Sequence, residues 1–180
     1  VSLTSLARAL FHPPRSGVAE RPDSLVEFLG QVPLFEGLGR RDLVRLAHIV
    51  HERDYRDGEY ICEEGKPGAV LFVLRRGAVE VVRRGRSGQE VPVAMLEPPA
   101  SFEEATALLP ETMRWFSVRA RGPVSLLALG KSDLEALILH FPLLANTVLM
   151  RLAVFMATRF QMLLAAVNLD ESEPQQGGHR

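Results

Sequence analysis

The chain is poor in the residues that build covalent and metal frameworks. It has one cysteine, Cys62, in 180 residues. That excludes an internal disulfide framework, and with it a zinc site made from several cysteines of one chain. None of the five histidines (His12, His48, His51, His140, His179) falls between Tyr55 and Leu129. A metalloenzyme with its ligands clustered on strands of that region is thereby excluded. Excess charge of one sign is also missing, with 21 Lys and Arg against 22 Asp and Glu. A globally basic nucleic-acid binder is ruled out, although a local basic patch is not. No charged segment followed by an apolar run and a small-residue cleavage site opens the chain, so no secretory signal is expected. No nucleophile–base pairing stands out, and an enzyme is not expected.

What is present is an ordinary globular composition, 47% hydrophobic and 24% charged. A chain of this size buries about two-thirds of its unfolded surface, enough for a core without staples. Residues 1–22 are punctuated by Pro13, Pro14, Gly17 and Pro22, and only Val1 to Phe11 has the makings of a short helix. This stretch is expected to be a flexible arm. Residues 170–180 are polar, carry Pro174 and the pair Gly177-Gly178, and are expected to be a disordered tail. The folded domain is expected over 23–169.

Three periods divide that domain. Ser24 to His51 reads as helix, split in two by Pro33 and by Gly37 and Gly39. Tyr55 to Leu129 reads as short strands separated by glycine turns, with β-branched runs at Val70–Leu74 and Ala78–Val82. Lys131 to Asn168 returns to helix, with Ser132 as N-cap, Glu135 completing a capping box, and Pro142 dividing a short helix from a long one. The expected fold is α+β: an antiparallel, jelly-roll-like β-roll with N-terminal helices and a long C-terminal helix.

The long helix is apolar on two faces. Leu149, Ala153, Met156, Phe160, Leu163 and Val167 form a heptad seam, and Val148, Leu152, Phe155 and Met162 a second face. Two apolar faces need two partners. One is the chain's own roll; the other is expected to be the same helix of a second copy, giving a homodimer. A membrane span is not expected, because Arg151 and Arg159 lie inside the segment.

The strand region holds the most specific pattern. Gly58-Glu59-Tyr60 leads into Ile61-Cys62-Glu63-Glu64-Gly65-Lys66-Pro67-Gly68-Ala69-Val70, then the apolar run Leu71 to Leu74, then Gly77. This resembles the first signature of the cyclic-nucleotide-binding domain family, with Lys66 standing where the family has an acidic or small polar residue. A second segment, Phe102-Glu103-Glu104-Ala105-Thr106-Ala107-Leu108-Leu109 followed by Arg114, is similar to that family's ligand cassette. The resemblance implies a regulatory module in which Glu104 accepts from a ribose 2'-hydroxyl and Arg114 holds a cyclic phosphate. Ala105, Thr106 and Trp115 would stand beside them. Carboxylate and guanidinium suit those tasks. The implied ligand is cyclic AMP or cyclic GMP, with a cyclic dinucleotide ranked behind both, and no other cofactor is required. Family members that regulate transcription dimerise through the corresponding helix, which agrees with the seam. Those members continue into a helix-turn-helix domain; this chain has a polar tail there, so direct nucleic-acid binding is not expected. A protein partner and a cytoplasmic location are.

The cassette departs from the family at three places. Glu103 replaces a glycine, Pro99-Ala100 replaces a glycine-acidic pair, and Trp115-Phe116 replaces small residues after the arginine. If the segment is a strand, one of Trp115 and Phe116 points inward. The indole is expected to occupy the pocket. The alternative function is therefore a degenerate member that binds no ligand and serves as a dimer scaffold or interaction module. Two weaker groupings complete the reading. His48 and His51 are read as a pair on one helix without a third ligand. Arg75, Arg76, Arg83, Arg84 and Arg86 are placed at two hairpin turns.

Overall fold

A computed structural model describes residues 25–109 and 112–170, with side chains of the last helix as far as Ala165. The expected arm, the tail beyond Asp170 and the side chain of Val167 lie outside the described residues.

Helix α1 (Leu25–Gln31), a 3-10 turn (Pro33–Phe35) and helix α2 (Arg40–Ala47) come first. Six strands follow: β1 (His51–Tyr55), β2 (Tyr60–Cys62), β3 (Val70–Arg84), β4 (Glu90–Leu96), β5 (Ser101–Phe102) and β6 (Ser117–Gly130). Helix α3 (Glu104–Leu108) lies between β5 and β6, and α4 (Lys131–His140) and α5 (Pro142–Asp170) close the fold. The sheet is antiparallel, in the order β1-β6-β3-β4, with β2 paired to β6 and β5 to β3. The α+β roll read from the sequence is the fold observed.

Strands β3 and β6 form its spine, paired from Val70 opposite Gly130 to Val82 opposite Ser117. Their side chains alternate between two apolar clusters, as the pleat requires. Leu71, Val73, Leu127 and Leu129 pack against the helices. Phe72, Leu74, Val79, Val81, Leu126 and Ala128 face the inside of the roll. The two short strands expected at Val70–Leu74 and Ala78–Val82 are one strand with register shifts around Arg76. Gly77 sits at that irregularity with φ +84°, where a Cβ would stand 2.4 Å from the Pro123 carbonyl oxygen. Only glycine fits there. Arg75 and Arg76 consequently lie within β3 and not at a hairpin turn, whereas Arg83, Arg84 and Arg86 do flank the β3–β4 turn.

Other local expectations shift. The helical stretch ends at Ala47, and His51 opens β1, so His48 and His51 do not share a helix. The His51 ring nitrogen Nε2 instead lies 3.4 Å from Asp133 Oδ1. Helix α4 begins one residue before Ser132 and is capped by Gly130, whose N–H donates to Asp133 Oδ2 at 2.7 Å. Asp133 thus supplies the return bond expected of Glu135.

Helix α5 packs one face on its own domain through Leu144, Ala145, Val148 and Leu152, with Phe155 and Met156 partly buried beside them. Its segment Pro142–Ala165 is long and apolar enough to cross a membrane by length and composition. Here it lies along the roll, with the Arg159 side chain turned into the domain.

Candidate functional site

The signature loop positions the cassette through backbone hydrogen bonds. Arg114 N–H donates to Lys66 O at 2.9 Å, Gly65 N–H to Arg114 O at 2.9 Å, and Gly68 N–H to Thr112 O at 3.1 Å. A Cβ on Gly68 would fall 2.8 Å from Thr106 Cβ and 3.1 Å from Arg114 Nε. The absence of that Cβ lets the loop lie against the cassette.

Glu103, at the family's glycine position, holds the left-handed conformation that glycine favours, with φ 66° and ψ 25°. Strain of about 1 kcal/mol accompanies such a conformation in a residue with a Cβ. The side chain is buried, and it has partners. Arg114 Nε donates to Glu103 Oε2 at 3.3 Å. The Thr106 hydroxyl donates to the same oxygen at 2.7 Å and lies 2.9 Å from the Glu103 carbonyl oxygen. Burial pushes the Glu103 carboxyl above the ordinary carboxylate range, although Thr106 and Arg114 pull it down. Nearby Cys62 is buried, and burial together with the Glu103 charge pushes its thiol up to about 12, leaving it protonated and unreactive.

Glu104 is also buried and also paired. Its Oε1 accepts from the Ser101 hydroxyl at 2.7 Å. Its Oε2 accepts from Arg159 Nη1 at 3.0 Å, and Arg159 Nη2 donates to Ser101 O at 3.1 Å. The guanidinium lies over the Phe155 ring, 4.2 Å from its centre. Burial lowers the Arg159 pKa against the pull of Glu104, but a guanidinium stays charged. A residue of α5 therefore fastens the helix to the cassette.

Between cassette and α5 lies a cavity of about 460 Å³. Glu103, Glu104, Ala105 and Thr106 form one wall; Met156, Arg159, Phe160 and Leu163 form another. Phe102, Trp115, Phe116, Val81 and Val118 complete it. Four of the five ligand residues expected from sequence (Glu104, Ala105, Thr106, Trp115) meet at this cavity. The fifth, Arg114, is not in its lining; it stands behind Glu103. Trp115 does not fill the space. It precedes β6 in a bend, is 67% exposed, and stands at the rim, while Phe116 is half-buried. The strand alternation expected for this pair does not apply, because β6 begins at Ser117.

The expected dimer seam is divided. Met156, Phe160 and Leu163 belong to the cavity wall, Phe160 at its exposed edge, while Leu149 is half-buried and Ala153 is exposed. The apolar side chains that α5 turns away from the cavity are Leu143, Met150, Val154 and Leu164, of which Leu143 is 86% and Met150 58% exposed. Sequence reasoning missed Ser101, Arg159 and the pairing role of Glu103. The signal for Arg159 was present: a cation inside an apolar helix needs a buried anion.

Fold and site define an α+β roll domain whose ligand-sized cavity is closed on one side by its own C-terminal helix. The chain belongs to the cyclic nucleotide-binding domain family, whose model matches residues 52–141. It is 35% identical over 129 residues to the cyclic AMP receptor protein of Thermus thermophilus, covering 72% of this chain and 57% of that one. Among solved structures it resembles the catabolite activator protein of Thermus thermophilus, at 33% identity and a TM-score of 0.66. That match covers 77% of this chain and 62% of the other. The N-terminal domain of a transcriptional regulator from Streptomyces coelicolor is similar at 28% identity and a TM-score of 0.66, covering 72% and 92%. The chain thus spans under two-thirds of the length of the matched chain in either Thermus comparison.

Proposed function

We propose that this chain is a non-catalytic, homodimeric regulatory module of the family, cytoplasmic, whose cavity does not hold a cyclic phosphate through Arg114. One observation carries the reading: the Arg114 guanidinium is engaged by the buried Glu103 carboxylate and is absent from the cavity wall. A phosphate approaching Arg114 meets a like charge in a poorly solvated corner. The expected result in calorimetry is no saturable heat with cyclic AMP or cyclic GMP at a Kd tighter than about 0.1 mM. Glu103→Gly, which restores the family residue and frees Arg114, should produce one. A wild-type isotherm that Arg114→Ala abolishes would sink the proposal. A second reading, in which a cyclic nucleotide displaces Glu103, is favoured by the cavity volume and decided by the same titration.

The homodimer rests on the outward face of α5. Each large side chain buried there stabilises association by about 1.5–3 kcal/mol before the cost of association is subtracted. Light scattering should give a dimer for the wild type and a monomer for Met150→Glu combined with Leu164→Glu.

A further inference from the structure

We infer that the cavity between cassette and α5 is a binding site for an uncharged aromatic molecule carrying N–H or O–H donors. The inference rests on the reading above, in which Arg114 is withheld from phosphate. Its first support is charge. Two carboxylates, Glu103 and Glu104, and one guanidinium, Arg159, line the cavity. With Arg114 behind Glu103 the four charges cancel in pairs, Glu103 with Arg114 and Glu104 with Arg159. A net charge on the ligand would find no free counter-charge here, in a site where its desolvation is costly.

Its second support is the wall. Phe102, Trp115, Phe116 and Phe160 all contribute to the lining, so planar rings find aromatic faces and edges. The volume of about 460 Å³ falls within the range of small-molecule sites. The third support is hydrogen bonding. Each oxygen of an ionised carboxylate accepts at two lone-pair positions. Ser101 and Arg159 take one position on each oxygen of Glu104, and Thr106 and Arg114 share Oε2 of Glu103, with the Cys62 thiol as a further partner of that carboxylate. Acceptor capacity therefore remains on Glu104 at the buried end, while a ligand donor is required to use it.

A matched pair of probes isolates the charge term. N-phenyl-1-naphthylamine is neutral, aromatic and carries one N–H; 8-anilino-1-naphthalenesulfonate is the same skeleton with a sulfonate. The neutral probe should bind saturably and at least about tenfold more tightly than the anion. Because Trp115 is the only tryptophan and stands at the rim, energy transfer from it to the bound probe should report occupancy of this cavity. Ala105→Phe, which adds a ring to the cavity wall, should weaken the neutral probe at least about tenfold. Glu103→Gln, which leaves Arg114 without its anion, should narrow the gap between the probes.

Equal or tighter binding of the sulfonate by the wild type overturns the inference. So does neutral-probe binding without transfer from Trp115, a result that needs no variant to fold. So does undiminished binding in a folded Ala105→Phe. If the neutral probe fails while cyclic AMP also gives no heat, this inference falls and the reading beneath it stands. A cyclic AMP isotherm overturns the reading itself.

Discussion

Two buried carboxylates in the same sheet-and-cassette unit meet arginines and respond in opposite ways. Glu80, on β3, takes Arg119 Nη2 at 2.6 Å and Arg121 Nη2 at 2.7 Å, both arginines coming from β6. Burial opposes its ionisation, yet the hydrogen bonds and charges of the two guanidinium groups together outweigh burial and hold its carboxyl below the ordinary range. Glu103 takes one guanidinium nitrogen at 3.3 Å, and burial prevails. The difference teaches that a buried acid beside an arginine is not thereby a settled ion pair. The number of guanidinium contacts and their length decide which effect wins.

The sharpest way to break the contrast is to strip Glu80 of both partners. Arg119→Ala with Arg121→Ala should cost about 2–3 kcal/mol, less than for a fully buried pair because Arg121 is half exposed. Urea denaturation near neutral pH checks the value.

Arg114→Ala comes next, at about 1–2 kcal/mol, since Glu103 can take up a proton when its partner is lost. Removing the guanidinium that pulls the carboxyl down leaves burial to push it further up. The deficit should therefore be smaller near pH 4, where the proton is readily taken up, than near pH 7, where taking it up costs more.

The smallest expected effect is a difference of slope. A carboxyl raised in the folded state contributes stability that is fully present below its unfolded pKa and is lost as pH rises through the folded pKa. A depressed carboxyl contributes stability that is present above its unfolded pKa and is lost as pH falls through the folded pKa. Glu103→Gln should thus lose ground to the wild type as pH falls from about 7 to about 4.5, by under about 1 kcal/mol. Glu80→Gln should show no such loss over that interval. Melting temperatures of the three proteins across it give the comparison directly.

Much of the fold was legible because glycines and apolar periods speak locally. Gly58, Gly65, Gly68 and Gly77 marked where the chain turns or draws close, and Pro142 marked the break before the long helix. Strand β1 was not legible: His51-Glu52-Arg53-Asp54-Tyr55 is almost wholly charged and exposed, so it carries no alternation and owes its conformation to pairing with β6. The continuity of β3 was hidden by Arg75-Arg76-Gly77, which read as a turn and is an irregularity within the strand. The cavity residues Glu104, Ala105, Thr106 and Trp115 could be picked out by resemblance, because the spacing of the cassette is kept. The pairings could not. Glu103 to Arg114 depends on a left-handed backbone at a residue that is not glycine, and Glu104 to Arg159 joins residues 55 positions apart.

The shared spine has a consequence for cooperativity. Over Leu71–Leu74 of β3 and Leu126–Leu129 of β6 successive residues belong to different clusters, so there the helix-facing and roll-facing cores are two sides of the same two strands. Neither core can melt while the other keeps its strands, because loosening one side removes the backbone that presents the other. The described domain should unfold as one thermodynamic unit, and the amide protons shared by β3 and β6 should be among the last to exchange with solvent.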